Sequence, residues 1–284
     1  MTHLCRLYPL KSGCGTLANS KFMKWTENNK TTDEWVNVIG GRALVPTKDY
    51  VGRSMKYFGD IDPKISAIVD KCIAPNDVCL DIGANLGLVS LRMSERVGPS
   101  GVVHAFEPQP RMQSYIQRTI NENKIENIRL HKIALGEEKG VLPLSIPKEN
   151  AGAASLAGKH ANDAENIEVP VHMLTDFMEE LSVGSVSFIK IDVEGFEPLV
   201  IKGGLDFLRE AKPNVIVLEE HGIVQNGVLP ESLQLLRGLE YDIYAMPKTY
   251  FNVTLEPKIE ETLCHDYVAV STAAPERVRS RLGI

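Results

Sequence analysis

The sequence predicts an α/β fold in which helices cover both faces of a mostly parallel sheet. Short apolar runs of strand character alternate with segments that carry apolar residues at helical spacing, and this alternation is typical of strand–helix–strand units. The first apolar strand ends in an acidic residue and a glycine turn, from Asp81 to Gly87, as strands of nucleotide-binding sheets do. With 284 residues, 43% of them hydrophobic, the chain can bury the large core that this fold needs.

The elements follow in chain order. Residues 1–60 show no clear period and are interpreted as an N-terminal extension, whereas 61–284 form the α/β domain, which begins with a helix at Pro63, where proline suits the first turn. We predict strands at residues 78–82, 102–106, 128–133, 186–192, 214–219, 241–246 and 266–271, and helices near 86–96, 110–123, 197–209 and 230–239.

Residues 141–173 break this rhythm, because the stretch is rich in proline and glycine. Strand-like pieces at about 141–146 and 167–173 flank it, so we predict a hairpin-like insertion. Its small residues, 151–156, are interpreted either as a flap that closes over a site or as a surface loop.

Composition excludes several classes of function. The net charge of −6 argues against a nucleic-acid partner, which would require clustered Lys and Arg. The five cysteines form no C-x-x-C pair, so neither a disulfide framework nor a zinc site is predicted. No run reaches the roughly 18 to 20 apolar residues of a membrane span, and the N-terminal segment is interrupted too early for a secretory signal. We therefore predict a cytoplasmic protein without a membrane partner.

The glycine turn indicates which cofactor binds. A dinucleotide-binding turn carries glycine at its first, third and sixth positions, but counting from Gly83 gives Asn85 and Leu88 at the third and sixth. The turn therefore favours a nucleoside without a diphosphate, and Asp81 is available to accept hydrogen bonds from a cationic amino group. Twenty residues beyond Gly87, a second strand ends in Glu107, where such sheets bind a ribose. S-adenosylmethionine has both the ribose and the amino group.

A further acidic motif follows the predicted strand 186–192. Asp192 and Glu194 lie at its carboxyl end, and ligands of open α/β sheets bind outside the carboxyl ends of the strands. His221 follows the next strand, and histidine is the residue type whose unperturbed pKa lies nearest neutral pH. We predict that these three residues form the acceptor side and that one of them assists deprotonation of an acceptor hydroxyl.

These motifs together resemble the FkbM family of S-adenosylmethionine-dependent methyltransferases. The matching segments are Asp81-Ile82-Gly83-Ala84-Asn85-Leu86-Gly87, Ala105-Phe106-Glu107-Pro108 and Lys190-Ile191-Asp192-Val193-Glu194-Gly195. The resemblance implies a class I methyltransferase fold, a Rossmann-like sheet of about seven strands with the last one antiparallel, and methyl transfer to a hydroxyl of a small metabolite, sugar or polyketide-like acceptor.

The resemblance also implies roles for single residues. It assigns Asp81, Gly83, Asn85 and Gly87 to the amino-acid part of S-adenosylmethionine, and Glu107 to the ribose. Ala134 is assigned to the adenine. Two departures from the family pattern concern the subfamily: Leu88-Val89-Ser90 after the glycine motif, and Thr175 before Asp176.

Alternatives remain at this stage. Glu194 is read either as an acceptor-side residue or as a cap of the following helix, and His221 either as catalytic or as structural. A magnesium ion held by Asp192 with Glu219 or Glu220 is considered and not favoured, so no metal ligand is assigned. The alternative functions are an S-adenosylmethionine-binding module without turnover and, less favoured, a nicotinamide-dependent oxidoreductase.

Overall fold

The computed structural model describes residues 13–26, 33–147, 151–158, 164–222, 228–249, 252–262 and 264–284. Its strands are β1 (Asp33–Val38), β2 (Gly41–Pro46), β3 (Val78–Ile82), β4 (Val102–Phe106), β5 (Ile128–His131), β6 (Ala134–Leu135), β7 (Gly140–Pro147), β8 (Ala164–His172), β9 (Phe188–Ile191), β10 (Val215–Glu219), β11 (Tyr241–Ala245) and β12 (Asp266–Ser271). Its α-helices are Cys14–Ala18, Lys21–Thr26, Tyr50–Phe58, Pro63–Cys72, Leu88–Val97, Pro110–Asn123, Leu174–Glu180, Glu197–Gly203, Leu205–Ala211, Glu231–Gly238 and Glu276–Leu282, with short 3-10 turns at Ala151–Ala153 and Ile259–Glu261.

The central sheet has seven strands in the order β11-β12-β10-β9-β3-β4-β5. Neighbours pair in parallel from β10 across to β5, whereas β12 runs antiparallel to both β10 and β11. The predicted fold, a class I methyltransferase sheet of about seven strands whose last strand in the chain is antiparallel, is therefore confirmed. Where the sequence predicted one helix at 197–209, the chain forms two, Glu197–Gly203 and Leu205–Ala211.

Apolar side chains cover both faces of this sheet, as its near-continuous hydrophobic strands require. On one face the core includes residues of the helices Pro63–Cys72, Leu88–Val97, Pro110–Asn123 and Glu276–Leu282. On the other face it includes residues of Leu174–Glu180, Glu197–Gly203, Leu205–Ala211 and Glu231–Gly238. Because both faces are covered, the carboxyl edge of the parallel strands is the part of the sheet left for a ligand.

Residues 33–58 form a β-hairpin and a helix, although their sequence shows no clear period. The β1–β2 hairpin contacts the helix Pro110–Asn123, where the backbone N–H of Leu44 donates to Thr119 Oγ1 at 3.1 Å and Arg42 pairs with Glu122 at 2.9 Å. Leu44 and Met55 belong to the same core as the sheet. The division into an extension and a domain at residue 60 stays a prediction.

The insertion builds a small sheet of its own beside the central one. Strands β7 and β8 pair antiparallel, and β6 pairs in parallel with β8. Ser145 in β7 forms an antiparallel bridge with Ser155, with both backbone hydrogen bonds at 3.0 Å. Residues 151–158 are therefore hydrogen-bonded to strand β7. Among the described residues, no helix is both long and apolar enough to cross a membrane.

Candidate active site

The loop after β3 includes three residues in the left-handed backbone conformation, which favours glycine and asparagine. Gly83 and Gly87 have φ angles of +79° and +76°, and Asn85 has φ of +53°. A Cβ atom on Gly83 would lie 1.9 Å from the carbonyl oxygen of Asp192. The backbone N–H groups of Gly83 and Ala84 both donate to the Phe106 carbonyl at 3.0 Å. Glycine at 83 thus allows the loop to lie against the ends of β4 and β9.

Glu107, directly after β4, is fixed by this loop. Its Oε2 accepts from the Asn85 backbone N–H at 2.7 Å, and its Oε1 accepts from the Gln109 backbone N–H at 2.8 Å. The side chain is buried, and this burial raises the pKa of the carboxyl group to about 7. Each carboxylate oxygen retains a lone pair for a further donor, such as a hydroxyl of a ligand.

A pocket lies beside Glu107 at the carboxyl edge of the sheet. Its empty volume is about 630 Å³, part of it open to solvent. Glu107 and Asn85 supply polar atoms on one side, and Ala134 lies in an apolar wall. The other apolar lining residues are Ile82, Phe106, Pro108, Met112, Ile133, Leu135, Leu144, Ala154, Leu156, Val193 and Phe196. An apolar wall with carboxylates at Glu107, Asp192 and Glu194 suits a nucleoside, whose ribose needs acceptors and whose base needs an apolar surface.

Asp81 does not line this pocket. Its side chain is fully buried, and Oδ2 accepts from the Ser90 hydroxyl at 2.5 Å. Its Oδ1 is 3.4 Å from Nζ of Lys190. Lys190 is therefore the cation that faces Asp81 in this structure. Asp81 supports the glycine loop from its buried side.

Lys190 connects both halves of the site. Its ammonium donates to the Gly83 carbonyl at 2.7 Å and is 3.3 Å from Asp192 Oδ2. Burial alone lowers the pKa of Lys190, but Asp192 and Asp81 more than offset it, so the net pKa is raised and the ammonium stays charged. A charged lysine thereby holds the end of β9 against the glycine loop.

Asp192 and Glu194 lie where the pocket meets a second, larger cleft. Both residues, with Asn85 and Gly152, line both cavities. Glu194 has φ of +55°, and its carbonyl accepts from the buried Ser155 hydroxyl at 2.7 Å. This bond ties residues 151–158 to the loop after β9.

The helix after Glu194 is not capped by that residue. The N-cap of Glu197–Gly203 is Phe196, without a side-chain cap bond. Glu197 Oε1 instead accepts from the backbone N–H groups of Val193 and Gly195 at 3.0 and 3.2 Å. Glu194 instead lines both cavities.

His221 lies behind Glu194. Its Nε2 is 3.4 Å from Glu194 Oε2, and this nitrogen is buried without a hydrogen bond among the described residues. His221 is not among the described residues that line either cavity. Its ring centre is 5.8 Å from that of His265. The structure thus brings His221 to an acceptor-side carboxylate but not to the cavity wall.

The second cleft is rich in charge. Its charged lining residues are Asp62, Lys64, Lys190, Asp192, Glu194, Glu219, Lys248 and Asp266. Burial, followed by Asp192 and Asp266, raises the pKa of Glu219 to about 8. Burial and Asp266 raise that of Asp62 to about 6. Among the described residues, no group of three or more His, Cys, Asp or Glu side chains is arranged to hold a metal ion.

The sequence motifs assign Lys190 and Glu219 no part in binding or catalysis. For Lys190 a signal exists, because a lysine inside an apolar strand indicates a buried, paired charge. For Glu219 the signal is its position at the end of a buried strand beside β9.

Known proteins resemble this chain in sequence. The family model described as "Methyltransferase FkbM domain" matches residues 81–243, more than half of the chain. "Methyltransferase 1" of Beauveria bassiana is 28% identical over 172 residues, 52% of this chain and 69% of that protein. "31-O-demethyl-FK506 methyltransferase FkbM" of Streptomyces tacrolimicus is 26% identical over 204 residues, 61% and 75% of the two chains.

One further relative and one solved structure add to this comparison. "2-O-methyltransferase NoeI" of Sinorhizobium fredii is 28% identical over 160 residues, 51% of this chain and 64% of that protein. The crystal structure of methyltransferase FkbM from Methylobacillus flagellatus is 13% identical with a TM-score of 0.42, over 78% of this chain and 66% of that one. Because this family model matches more than half of the chain, the chain belongs to the FkbM family of S-adenosylmethionine-dependent methyltransferases.

Proposed function

We propose that this protein transfers the methyl group of S-adenosylmethionine to a hydroxyl of a small metabolite, sugar or polyketide-like acceptor. The observation that carries the proposal is the junction of the two cavities. A largely apolar pocket with Glu107 meets a charged cleft at Asp192 and Glu194. A cofactor in the first cavity and an acceptor in the second would meet at these two carboxylates.

On the cofactor side, the residues fit an adenosyl group. Glu107 accepts the ribose hydroxyls, and Ala134 with its apolar neighbours packs against the adenine. Asn85 offers a buried Oδ1 without a partner among the described residues, close to where the amino-acid part would lie. Gly83 and Gly87 permit the close approach of the loop, and Asp81 holds it through Ser90 and Lys190.

On the acceptor side, the residues orient the hydroxyl and exclude water. When bound, S-adenosylmethionine supplies a methyl group already activated on a positively charged sulfur. The protein therefore has to align the acceptor oxygen with that methyl and assist loss of the hydroxyl proton. Asp192 and Glu194 line the junction, His221 orients Glu194, and residues 152–156 cover the pocket.

The names of two relatives support a hydroxyl as the acceptor. One is a 31-O-demethyl-FK506 methyltransferase and the other a 2-O-methyltransferase. We extend only the O-methylation to this chain. We also propose that it acts in the cytoplasm on a small molecule rather than on a nucleic acid, in agreement with its net charge of −6.

The test separates cofactor binding from turnover. Calorimetric titration with S-adenosylmethionine, S-adenosylhomocysteine and NAD should show micromolar binding of the first two and none of NAD. Glu107→Ala should weaken both by about tenfold or more, because a charge-assisted hydrogen bond is removed, whereas exposed Glu165→Gln should match wild type. Binding without methylation of any hydroxyl acceptor would favour the module without turnover; binding of NAD would contradict the proposal.

A further inference from the structure

Glu219 ends β10 next to the proposed catalytic edge. Strand β10 pairs in parallel with β9, with Leu218 opposite Ile191, so Glu219 at the end of β10 is level with Asp192, the first residue after β9. Glu219 lines the second cleft together with Asp192 and Glu194. Its carboxylate is therefore at the cleft wall, one strand away from the junction with the cofactor pocket.

The other acids at this edge are engaged. Asp192 is 3.3 Å from the Lys190 ammonium, and Glu194 is 3.4 Å from His221. Glu220 points elsewhere: it accepts from the Ser232 hydroxyl and from the Gly222 backbone N–H at 2.6 Å. For Glu219, by contrast, the described part of the chain supplies no side-chain hydrogen bond or ion pair. A carboxylate with free lone pairs in a cleft is available to a ligand hydroxyl.

The surroundings make Glu219 more basic than an ordinary carboxylate. Burial and the facing acids Asp192, Asp266, Glu194 and Asp62 raise its pKa to about 8. The cations lining the same cleft are Lys64, Lys190 and Lys248. Lys64 is paired with Asp266 and Lys190 with Asp192, and on balance burial and the facing acids prevail at Glu219. A base with a pKa near the working pH transfers protons most effectively.

We propose that Glu219 is the general base of this enzyme, an assignment that rests on the methyl transfer proposed above. The acceptor O–H gives its proton to Glu219 Oε, and the acceptor oxygen bonds to the methyl carbon. The carbon–sulfur bond breaks, and its electron pair stays on sulfur. The products are a methyl ether, S-adenosylhomocysteine and a protonated Glu219, which then returns its proton to solvent.

Glu219→Gln tests this role, since it keeps the shape of the side chain and removes the base. Exposed Glu165→Gln is the matched control, and Glu219→Asp retains a carboxylate. The acceptor probe is the member of a panel of methyl glycosides and macrolide alcohols that wild type methylates fastest, at saturating S-adenosylmethionine and in EDTA. We expect kcat of Glu219→Gln to fall by about 100-fold or more, with partial activity in Glu219→Asp and unchanged binding of S-adenosylhomocysteine in both.

The pH profile distinguishes a base from a structural residue. Since the deprotonated form is active, wild-type kcat/KM for the acceptor should rise about tenfold per pH unit up to about pH 8 and then level off. The residual kcat/KM of Glu219→Gln should lack this rise. A variant that keeps kcat within threefold of wild type, or a wild-type activity that EDTA abolishes and Mg²⁺ restores, would overturn the assignment.

A second readout needs no cofactor. The folded-state pKa of Glu219 is raised above its unfolded value of 4.5, so its contribution to stability is present below about pH 4.5 and is lost as pH rises towards 8. The melting temperature of wild type should therefore fall relative to Glu219→Gln between pH 5 and 8; parallel curves would contradict the proposal. If wild type binds S-adenosylhomocysteine but methylates nothing in the panel, the proposed function fails first, and the base assignment fails with it.

Discussion

Binding of the adenosyl group should depend on pH through Glu107. Burial raises the pKa of this carboxyl to about 7, so a large part of the protein carries a neutral Glu107 at neutral pH. Ribose hydroxyls donate to the ionised form more strongly than to the neutral one. The ligand should therefore bind more tightly as pH rises through 7 and more weakly as pH falls.

The size of this effect follows from the ionised fraction. With a pKa of about 7, roughly one molecule in eleven is ionised at pH 6 and about ten in eleven at pH 8. If only the ionised form binds, the apparent Kd should be about tenfold higher at pH 6 than at pH 8. Above pH 8 the curve should be flat, because nearly all Glu107 is already ionised.

Methylthioadenosine is the appropriate ligand for this assay, because it has the adenosine without the ionisable amino acid. Its Kd would be measured by calorimetry from pH 5.5 to 8.5. Glu107→Gln should bind weakly at every pH and lose the slope, whereas Glu219→Gln should retain it, because Glu219 lines the other cleft. A wild-type Kd that stays constant over this range would refute the placement of the ribose at Glu107.

Three further substitutions test how the site is held together. Gly83→Ala places a Cβ against the Asp192 carbonyl at a φ of +79° and should reduce the free energy of unfolding by about 2–4 kcal/mol, measured with urea; full stability would show that the loop is not so tightly confined. Lys190→Met leaves buried carboxylates unpaired and should destabilise the fold by about 3–5 kcal/mol, and a neutral effect would argue against the ion-pair bridge. Ser155→Ala removes the hydrogen bond to the Glu194 carbonyl. It should weaken binding of S-adenosylhomocysteine severalfold and reduce the free energy of unfolding by about 1 kcal/mol. Unchanged affinity would mean that this contact does not position residues 151–158.

The central sheet was predictable because its strands are short, apolar and regularly spaced. β3, β4 and β12 begin and end at the predicted residues. The β1–β2 hairpin was not predicted, because β1 alternates weakly: only Val36 among its residues is buried. Its stability comes from contacts with a helix some 80 residues further along the chain, such as Leu44 with Thr119, and a local pattern carries no sign of them.

The site was predictable in part for a similar reason. Motif spacing placed Glu107, Asn85 and Asp192 on one edge, and these residues line the cavities. Asp81 shares that edge, but its orientation into the interior depends on the packing of Lys190. His221 was predicted to be catalytic because the unperturbed pKa of histidine lies near neutral pH. That property does not reveal whether a side chain faces a cavity or lies behind its wall.

The most direct test of the account is a crystal structure of the protein with S-adenosylhomocysteine. We predict ribose hydroxyls within hydrogen-bonding distance of the Glu107 carboxylate, adenine beside Ala134, and the sulfur directed towards Asp192 and the second cleft. A ligand bound with its ribose away from Glu107, or with its sulfur directed away from that cleft, would contradict it.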